Sequence, residues 1–350
     1  MAIVQWHGLN GAIALKSLLL HRCSLLALIV CAAAQMLTGC ETDRPIARAL
    51  QPLSPQMLAH LERNHMPIDS PILIRLFKEE SEVEVWKKDT SGRFALLKTY
   101  PICRWSGNLG PKIREGDRQA PEGFYTVKPE QMNPNSHEYL SFNIGYPNAY
   151  DRAYGRTGGN IMVHGGCSSA GCYAVTDEQI AEIYALARES FYGNQQSFQV
   201  QAYPFRMTPL NLVKHLDNPN TPFWRTLKEG NDHFEVTHLE PKVDVCEKRY
   251  VFDAEPVGGF ANDRTRNESS PWRRNALPAA TVKVSPPFNP AGWCPTYIIP
   301  HEIALAVAEK NRRDESQVIE LLSRSTSMVP FPGKILACNR CSEPGPPRTP

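Results

Sequence analysis

The sequence lacks an excess of charge of either sign. Its 350 residues include 38 lysines and arginines against 36 aspartates and glutamates, a formal net charge of +2. A nucleic-acid-binding domain normally shows a clear basic excess. The composition therefore gives no case for a nucleic-acid partner. Hydrophobic residues make up 42% of the chain, which is enough for a sizeable core.

The sequence also lacks an apolar run of the roughly 20 residues that a transmembrane helix needs. The apolar stretch near the N-terminus covers only residues 24–36, follows a weakly basic lead and ends in Leu37-Thr38-Gly39-Cys40. A short apolar segment closed by small residues predicts a secretory signal over residues 1–40 and not a membrane span.

The string Leu-Thr-Gly-Cys resembles the bacterial lipobox, whose cysteine is diacylated and becomes the first residue of the mature chain. We therefore expect lipidation of Cys40 and a periplasmic protein anchored to the cell envelope, since two or three acyl chains hold a protein stably where one does not. Glu41 after the cysteine favours the outer membrane over the inner. The alternative is an ordinary cleaved signal in which Cys40 is incidental.

The distribution of proline divides the rest of the chain into a tether, a folded domain and a Pro-rich extension. Many of the 30 prolines lie beyond residue 256, where one helix is predicted over His301–Ser323. Residues 256–350 are therefore predicted to be a Pro-rich extension that is partly disordered. The polar, Pro-punctuated residues 41–69 predict a tether with a short helix around Pro55–Arg63. Residues 70–255 are left as the folded domain.

This domain is predicted to be mainly β with peripheral helices. Three strands joined by short polar turns, Ile72–Lys78, Val83–Lys88 and Phe94–Cys103, predict an antiparallel meander. Thr176 with acidic residues and a glutamine behind it predicts the start of a helix that runs to Ser190. Further strands are predicted at residues 124–127, 138–145, 161–164 and 198–203, and further helices at 209–216 and 223–230.

Ten cysteines accompany the export signal. Cys23 and Cys31 lie in the signal, Cys40 is the lipidation candidate, and Cys172 is discussed below. The other six, at positions 103, 167, 246, 294, 338 and 341, could form disulfides in an oxidising compartment, but the sequence does not choose among their pairings. The CxxC string that ends at Cys341 follows no strand, which favours a tail disulfide or incidental thiols over redox catalysis.

The candidate chemistry lies in the string Ile161 to Tyr173, Ile-Met-Val-His-Gly-Gly-Cys-Ser-Ser-Ala-Gly-Cys-Tyr. An apolar strand delivers His164, and a loop of small residues leads to Cys172. Because a thiol needs a base to become a strong nucleophile, we predict Cys172 as nucleophile and His164 as its base. Backbone N–H groups of Cys172, Gly171 and Ala170 are candidates to hold an oxyanion.

Supporting roles and alternatives follow from the same string. No acidic residue lies inside it, so the carbonyl of Gly165 is expected to orient the imidazole. Ser169 either hydrogen-bonds locally in a turn or places the oxyanion loop. Three alternatives remain: a disulfide between Cys167 and Cys172, Cys167 as the nucleophile, and a zinc site of His164, Cys167 and Cys172, which lacks an evident fourth ligand.

His164-Gly165 followed by Ser169-Ala170-Gly171-Cys172 resembles the signature of the L,D-transpeptidases, the family with the YkuD-type catalytic domain. Pro121–Tyr125 resembles the family's turn into a strand. Strings that resemble its YafK-like branch lie at residues 74–80, 115–119, 171–174 and 223–224. The resemblance covers residues 65–255 and implies a YkuD-type β-sandwich catalytic domain, followed by the irregular C-terminal extension.

The resemblance implies an enzyme of cell wall organisation and cell shape, which acts on peptidoglycan stem peptides through a cysteine acyl-enzyme and uses no metal or organic cofactor. Most members carry an arginine two residues after the cysteine, where this chain has Ala174. An amine acceptor would make the protein a transferase. Water as acceptor would make it an amidase that frees a murein-bound lipoprotein. A non-catalytic lipoprotein that binds peptidoglycan is the alternative from another class.

Candidate substrate residues stand just before the catalytic strand. Tyr150, Arg152 and Arg156 either belong to a packed polar loop or line a groove for the carboxylates of a stem peptide, where arginine offers bidentate binding. Arg114 and Arg118 in the preceding long loop are weaker candidates for the same role.

Overall fold

The computed structural model describes residues 45–256 and 297–327. The predicted signal, the lipidation of Cys40 and the CxxC string lie outside these residues. Among the helices within these two ranges, none is both long and apolar enough to cross a membrane.

The first of two five-stranded sheets has the order β3-β2-β1-β10-β5. The predicted meander is confirmed, because β1 pairs with β2 and β2 with β3 in antiparallel fashion. Strand β10 adds to the other side of β1 in parallel. Every residue of β1 and β10 is buried, as expected for central strands covered on both faces. The strands are β1 Ile72–Phe77, β2 Glu82–Lys88, β3 Phe94–Pro101, β5 Gly123–Val127 and β10 Phe198–Tyr203.

The second sheet has the order β4-β9-β8-β7-β6 and is built of short strands. They are β4 Arg104–Trp105, β6 Met132–Asn133, β7 Ser141–Asn143, β8 Met162–His164 and β9 Tyr173–Ala174. The strand predicted over residues 138–145 is reduced to three residues. Tyr139 and Gly145 on either side of it have positive φ values, 67° and 85°, which an extended strand does not accommodate.

The two sheets face each other across one core, which confirms the predicted sandwich. Side chains of the first sheet, such as Val85 and Val200, belong to the same buried cluster as Phe142, Val163 and Tyr173 of the second. The ring of Phe142 lies edge-on to that of Phe198, with centroids 5.5 Å apart. Apolar burial of this kind is the main stabilising contribution to the fold.

The helices lie at the edges of the sandwich. They are α1 Pro45–Ala49, α2 Pro55–Arg63, α3 Ala149–Ala153, α4 Asp177–Tyr192, α5 Pro209–Lys214, α6 Thr221–Thr237 and α7 His301–Ser327. Helix α4 begins at the predicted cap, where the Thr176 hydroxyl accepts a hydrogen bond from the N–H of Gln179. One hairpin is formed by β11 Val243–Cys246 and β12 Arg249–Phe252. A second antiparallel pair joins β13 Glu255–Pro256 to β14 Tyr297–Ile298, which are far apart in sequence.

Both flanks of the sandwich contribute contacts that the predicted organisation did not include. Within the described part of the predicted tether 41–69, five side chains are buried in the main core: Ala49, Leu53, Met57, Leu61 and Met66. On the C-terminal side, α7 is joined to α6 by ion pairs, including Lys228 with Asp314 at 2.6 Å and Lys310 with Asp232 at 3.2 Å. Parts of the tether and of the extension therefore pack on the domain.

Candidate active site

Strand pairing brings the predicted nucleophile and base onto neighbouring segments of the second sheet. Strands β8 and β9 are parallel, with Val163 opposite Tyr173 and His164 opposite Ala174. Val163 and Tyr173 are fully buried in the core between the sheets. Because side chains alternate along a strand, His164 points to the other face. Cys172 comes directly before β9, and its sulfur lies against the N–H of Met162, two residues before His164 on the neighbouring strand.

The imidazole of His164 is held at one nitrogen. Its Nδ1 lies 2.6 Å from the carbonyl oxygen of Gly165, the contact expected from the sequence. A carbonyl only accepts hydrogen bonds, so Nδ1 carries a hydrogen, and in the neutral imidazole the lone pair is on the other ring nitrogen, Nε2. His164 is 5% exposed, so the ring is fixed by packing as well as by this bond.

The turn after His164 is held by two acidic residues. The N–H of Gly166 donates to Oδ1 of Asp177 at 2.8 Å, and the N–H of Gly165 donates to the carbonyl of Glu138 at 3.1 Å. A Cβ on Gly165 would lie 2.5 Å from Asp177 Oδ1, and one on Gly166 would collide with the carboxylate of Glu138. Both glycines are therefore required by the close approach of these side chains.

Cys172 is a free, partly buried thiol. Its Sγ accepts a hydrogen bond from the N–H of Met162 at 3.4 Å and lies 3.8 Å from the carbonyl oxygen of Asn160. Burial raises the pKa of the thiol above its ordinary value, while the Met162 N–H and the charge of Lys112 act in the opposite direction. The thiol is therefore protonated at neutral pH and needs a base to become a nucleophile.

The loop before Cys172 is organised by the hydroxyl of Ser169. Ser169 Oγ accepts hydrogen bonds from the N–H groups of Gly171 and Cys172, at 3.3 and 3.1 Å, and donates to the carbonyl of Cys172 at 2.7 Å. Two of the three N–H groups expected to hold an oxyanion are thus already hydrogen-bonded within the loop. Of the two roles predicted for Ser169, the contacts show local hydrogen bonding in a turn. Gly171 has a φ of 137°, which an L side chain rarely adopts.

Cys167 forms a disulfide with Cys103, across 64 residues of sequence. This bond excludes the three alternatives that used its sulfur. Cys167 is neither the nucleophile nor the disulfide partner of Cys172, and it cannot be a zinc ligand. In the described ranges, no group of three or more His, Cys, Asp and Glu side chains is placed to hold a metal ion.

Two of the three predicted substrate residues are packed away from solvent. The ring of Tyr150 is buried and stacks on Tyr250, with centroids 4.3 Å apart. Arg156 donates to the buried carboxylate of Asp151 at 2.7 Å and lies over the Tyr150 ring. These contacts correct the groove hypothesis for Tyr150 and Arg156 in favour of the packed loop. Arg152 is exposed, and its guanidinium donates to the carbonyl of Pro147.

The long loop at residues 106–120 contributes neighbours of Cys172 that the sequence did not reveal. Ser106 Oγ lies 3.1 Å from Ser169 Oγ, and the backbone of Arg118 lies 3.9 Å from the position of a Cβ on Gly171. Asp117 accepts hydrogen bonds from Lys112 and from the N–H groups of Ile113, Arg114 and Gln119. In the sequence, this loop is distinguished only by its content of glycine and charged residues, and composition alone does not predict these contacts.

Comparison with known proteins identifies the class of protein that this fold and site define. Residues 74–207 match the family model described as the L,D-transpeptidase catalytic domain, YkuD. The chain belongs to this family, which confirms the resemblance found in the sequence. It is therefore an enzyme-family member with a peptidoglycan-related function.

Two relatives from Escherichia coli show which members of the family this chain is similar to. The chain is 46% identical over 182 residues to the protein named "Putative L,D-transpeptidase YafK" in Escherichia coli K12 and in Escherichia coli O157:H7, covering 52% of this chain and 74% of that protein.

Solved structures of the helical cell shape determining protein Pgp2 from Campylobacter jejuni are also similar. One shares 19% identity with a TM-score of 0.33 and covers 54% of this chain and 80% of Pgp2. A point mutant of Pgp2 shares 21% identity with a TM-score of 0.32, covering 43% of this chain and 54% of the mutant chain.

Proposed function

We propose that this protein modifies peptidoglycan through a thioester formed on Cys172. The observation that carries the proposal is a free thiol that directly precedes β9 and contacts the neighbouring strand β8, which ends in the oriented imidazole. Family membership supports stem peptides of peptidoglycan as the substrate. The reaction begins at an amide carbonyl of such a peptide.

The steps of the proposed reaction follow from which atom holds the proton at each stage. His164 Nε2 takes the proton of the Cys172 thiol, and the sulfur attacks the amide carbonyl carbon to give a tetrahedral oxyanion. As the C–N bond breaks, Nε2 returns the proton to the departing amine and the thioester remains. An acceptor then attacks the thioester, its proton passes to Nε2, and the C–S bond breaks to restore the thiol. The His164 ring makes no hydrogen bond to Cys172 Sγ within the described residues, and such a contact often forms only with substrate bound.

The oxyanion requires a rearrangement of the loop in this proposal. The N–H groups of Gly171 and Cys172 become available when the Ser169 hydroxyl turns towards Ser106, which already lies within hydrogen-bond distance. The N–H of Ala170 has no hydrogen-bond partner among the described residues and can serve from the start. A preorganised N–H donor, here only that of Ala170, typically contributes a few kcal/mol to transition-state stabilisation.

The identity of the acceptor separates two outcomes of the same thioester. An amine acceptor gives a transferase, and water gives an amidase that releases a murein-bound lipoprotein. The arginine that most family members carry after the cysteine is replaced by Ala174, which is fully buried and paired with Arg104 of strand β4. This difference supports a mode of substrate binding unlike that of ordinary cross-linking members. Transfer to an amine and hydrolysis by water are both part of the proposal.

The proposal places the enzyme in the periplasm, lipid-anchored to the cell envelope through Cys40. The lipobox-like string and Glu41 support this location and favour the outer membrane. The Cys103–Cys167 disulfide agrees with an oxidising compartment. Membrane fractionation of the Cys40→Ser variant tests the anchor: we expect release into the soluble fraction, and unchanged membrane association would contradict lipidation.

Digestion of purified sacculi with the wild type and the Cys172→Ala variant tests the catalytic step. We expect new muropeptide products from the wild type and none from Cys172→Ala, while Ser168→Ala, a change of an exposed neighbour, keeps them. Mass spectrometry of the digest separates new cross-links from freed lipoprotein peptide. If Cys172→Ala gives the wild-type products, the thioester proposal fails. If neither protein gives products, the non-catalytic peptidoglycan-binding role is favoured.

A further inference from the structure

Arg118, in the long loop at residues 106–120, lies against the turn that leads to the candidate nucleophile. Its Cα and carbonyl carbon are 3.9 Å from the position that a Cβ on Gly171 would take. Cys172 is the next residue along the chain, and consecutive Cα atoms are about 3.8 Å apart. An arginine side chain is long enough to span this separation, so Arg118 is within reach of a group bound at the thiol.

The backbone of Arg118 has a conformation that arginine rarely adopts. Its φ is 52°, in the left-handed region, where glycine fits without strain. Both neighbours hold it there: the N–H of Gln119 donates to Asp117 at 3.0 Å, and the Gln119 side chain donates to the carbonyl of Gly110 at 2.8 Å. Backbone strain that the surroundings enforce is concentrated at binding and active sites. Stability alone therefore does not account for a long cationic side chain at this position.

The guanidinium of Arg118 is available to a ligand. The side chain is exposed, and it makes no hydrogen bond or ion pair with another residue that the structure describes. The adjacent carboxylate, that of Asp117, does not neutralise it, because it is already bonded to Lys112 and to three backbone N–H groups. Arginine presents its donors in a planar fork that matches the two oxygens of a carboxylate.

The charges near the thiol favour an anionic group on the side of this loop. Burial has the largest effect on the pKa of Cys172 and raises it, while the charge of Lys112 lowers it and that of Glu138 raises it. Lys112 belongs to the same loop as Arg118 and is buried there. Glu138 lies instead against Gly166, in the turn after the candidate base. A carboxylate of the substrate is therefore attracted to the loop and repelled from that turn.

We propose that Arg118 is a specificity-determining residue, whose guanidinium binds a carboxylate on the stem-peptide residue whose carbonyl Cys172 attacks. The inference rests on the proposed function and specifies how its substrate is held. Two parallel N–H bonds to the carboxylate fix the direction of the peptide as well as its position, which brings the carbonyl carbon to the sulfur. The sequence allowed this role for several residues, and the packing of Tyr150 and Arg156 withdraws it from those two.

Two synthetic stem tetrapeptides that differ in one group test the assignment. The residue with the attacked carbonyl has a second carboxyl group, which is free in one peptide and amidated in the other. Mass spectrometry of the released amino acid gives kcat and KM for each peptide. For Arg118→Gln we expect KM of the free-carboxylate peptide to rise about fivefold, the loss of one solvent-exposed charge contact, with kcat unchanged. Both constants for the amidated peptide should stay at their wild-type values.

Three further variants separate the contact from folding and from net charge. Arg118→Lys keeps the charge without the planar fork and should restore part of the preference for the free carboxylate. Arg118→Gly fits the positive φ and should lose the preference while keeping about the wild-type unfolding midpoint. Arg225→Gln removes the same charge from an exposed position of α6 and should keep the preference.

Binding to the Cys172→Ala protein, measured by calorimetry, gives a result that does not depend on turnover. The free-carboxylate peptide should bind about fivefold more tightly than the amidated one, and adding Arg118→Gln should remove the difference. If wild type releases product but the Arg118 variants keep its preference, or if wild type has no preference, the assignment to Arg118 is wrong while the proposed function stands. If wild type releases nothing from either peptide or from sacculi, the proposed function fails, and the binding difference alone decides whether Arg118 holds the carboxylate.

Discussion

Removal of the Cys103–Cys167 disulfide should destabilise the domain strongly. The bond links residues 64 positions apart. The chain-entropy relation for a closed loop of this size gives about 4 kcal/mol of stabilisation through the unfolded state. For a domain of this size each kcal/mol corresponds to roughly 2–4 °C in the unfolding midpoint, so we expect a decrease of about 10 °C. The change to test is the double variant Cys103→Ser/Cys167→Ser, because a single change would leave a thiol free to pair with Cys172.

Thermal unfolding followed by circular dichroism measures the effect, with Cys172→Ser as the control that removes a thiol and leaves the bridge intact. Cys103 lies directly between β3 and β4, and Cys167 lies in the loop that leads to the candidate nucleophile. Muropeptide release should therefore fall even at temperatures where the double variant is folded. A midpoint within about 2 °C of wild type would refute the entropic argument, since it corresponds to less than about 1 kcal/mol.

Three further predictions concern single side chains. Gly171→Ala should cost about 1–3 kcal/mol, because φ is 137° there, and should impair product formation more than folding; wild-type turnover would contradict the need for this conformation. Burial opposes ionisation of Asp117, but hydrogen bonds from Lys112 and backbone N–H groups outweigh it and lower the pKa to about 2, so its stabilising effect is complete above pH 4 and is lost as the pH falls towards 2. In Asp117→Asn the unfolding midpoint should therefore change less with pH between pH 4 and pH 2 than in the wild type. The same pH dependence in both proteins would contradict the stabilising role of the Asp117 carboxylate. Lys78→Met should destabilise the fold by about 3–5 kcal/mol in urea denaturation because it leaves the buried Glu122 unpaired, and additional Glu122→Gln should recover part of the loss.

The sequence was most informative where local pattern decides structure. A β-branched apolar run predicted β1 and alternation of apolar and polar residues predicted β10, and both strands are buried along their whole length. The Thr176 cap predicted the start of α4 within one residue. His164 and Cys172 were predicted from their identity and spacing, and they lie on neighbouring segments of the structure: His164 ends β8 and Cys172 directly precedes β9. These features depend on residues near each other in sequence, so a single chain is enough to read them.

Contacts between distant segments were not predictable in the same way. The Cys103–Cys167 pairing joins two loops, and no local signal distinguished it from the other pairings. Asp177 was recognised as part of a helix cap, but its hydrogen bond to Gly166 depends on how α4 packs on the second sheet. The polar composition of the segment before residue 70 suggested only a tether, because its buried residues are spaced too widely to form an apolar run.

The parallel pairing of β8 and β9 makes the length of the loop between them a functional constraint. Parallel neighbours usually need a crossover of a dozen or more residues, commonly through a helix, whereas eight residues connect His164 to Tyr173 here. Because Cys172 directly precedes β9, inserting a residue between Cys172 and Tyr173 would displace the thiol from its contact with Met162, whereas an insertion earlier in the loop would leave β9 and Cys172 in place. The attachment of Cys172 to β9 therefore fixes the position of the thiol, and the loop before it needs only enough residues to return the chain from the end of β8.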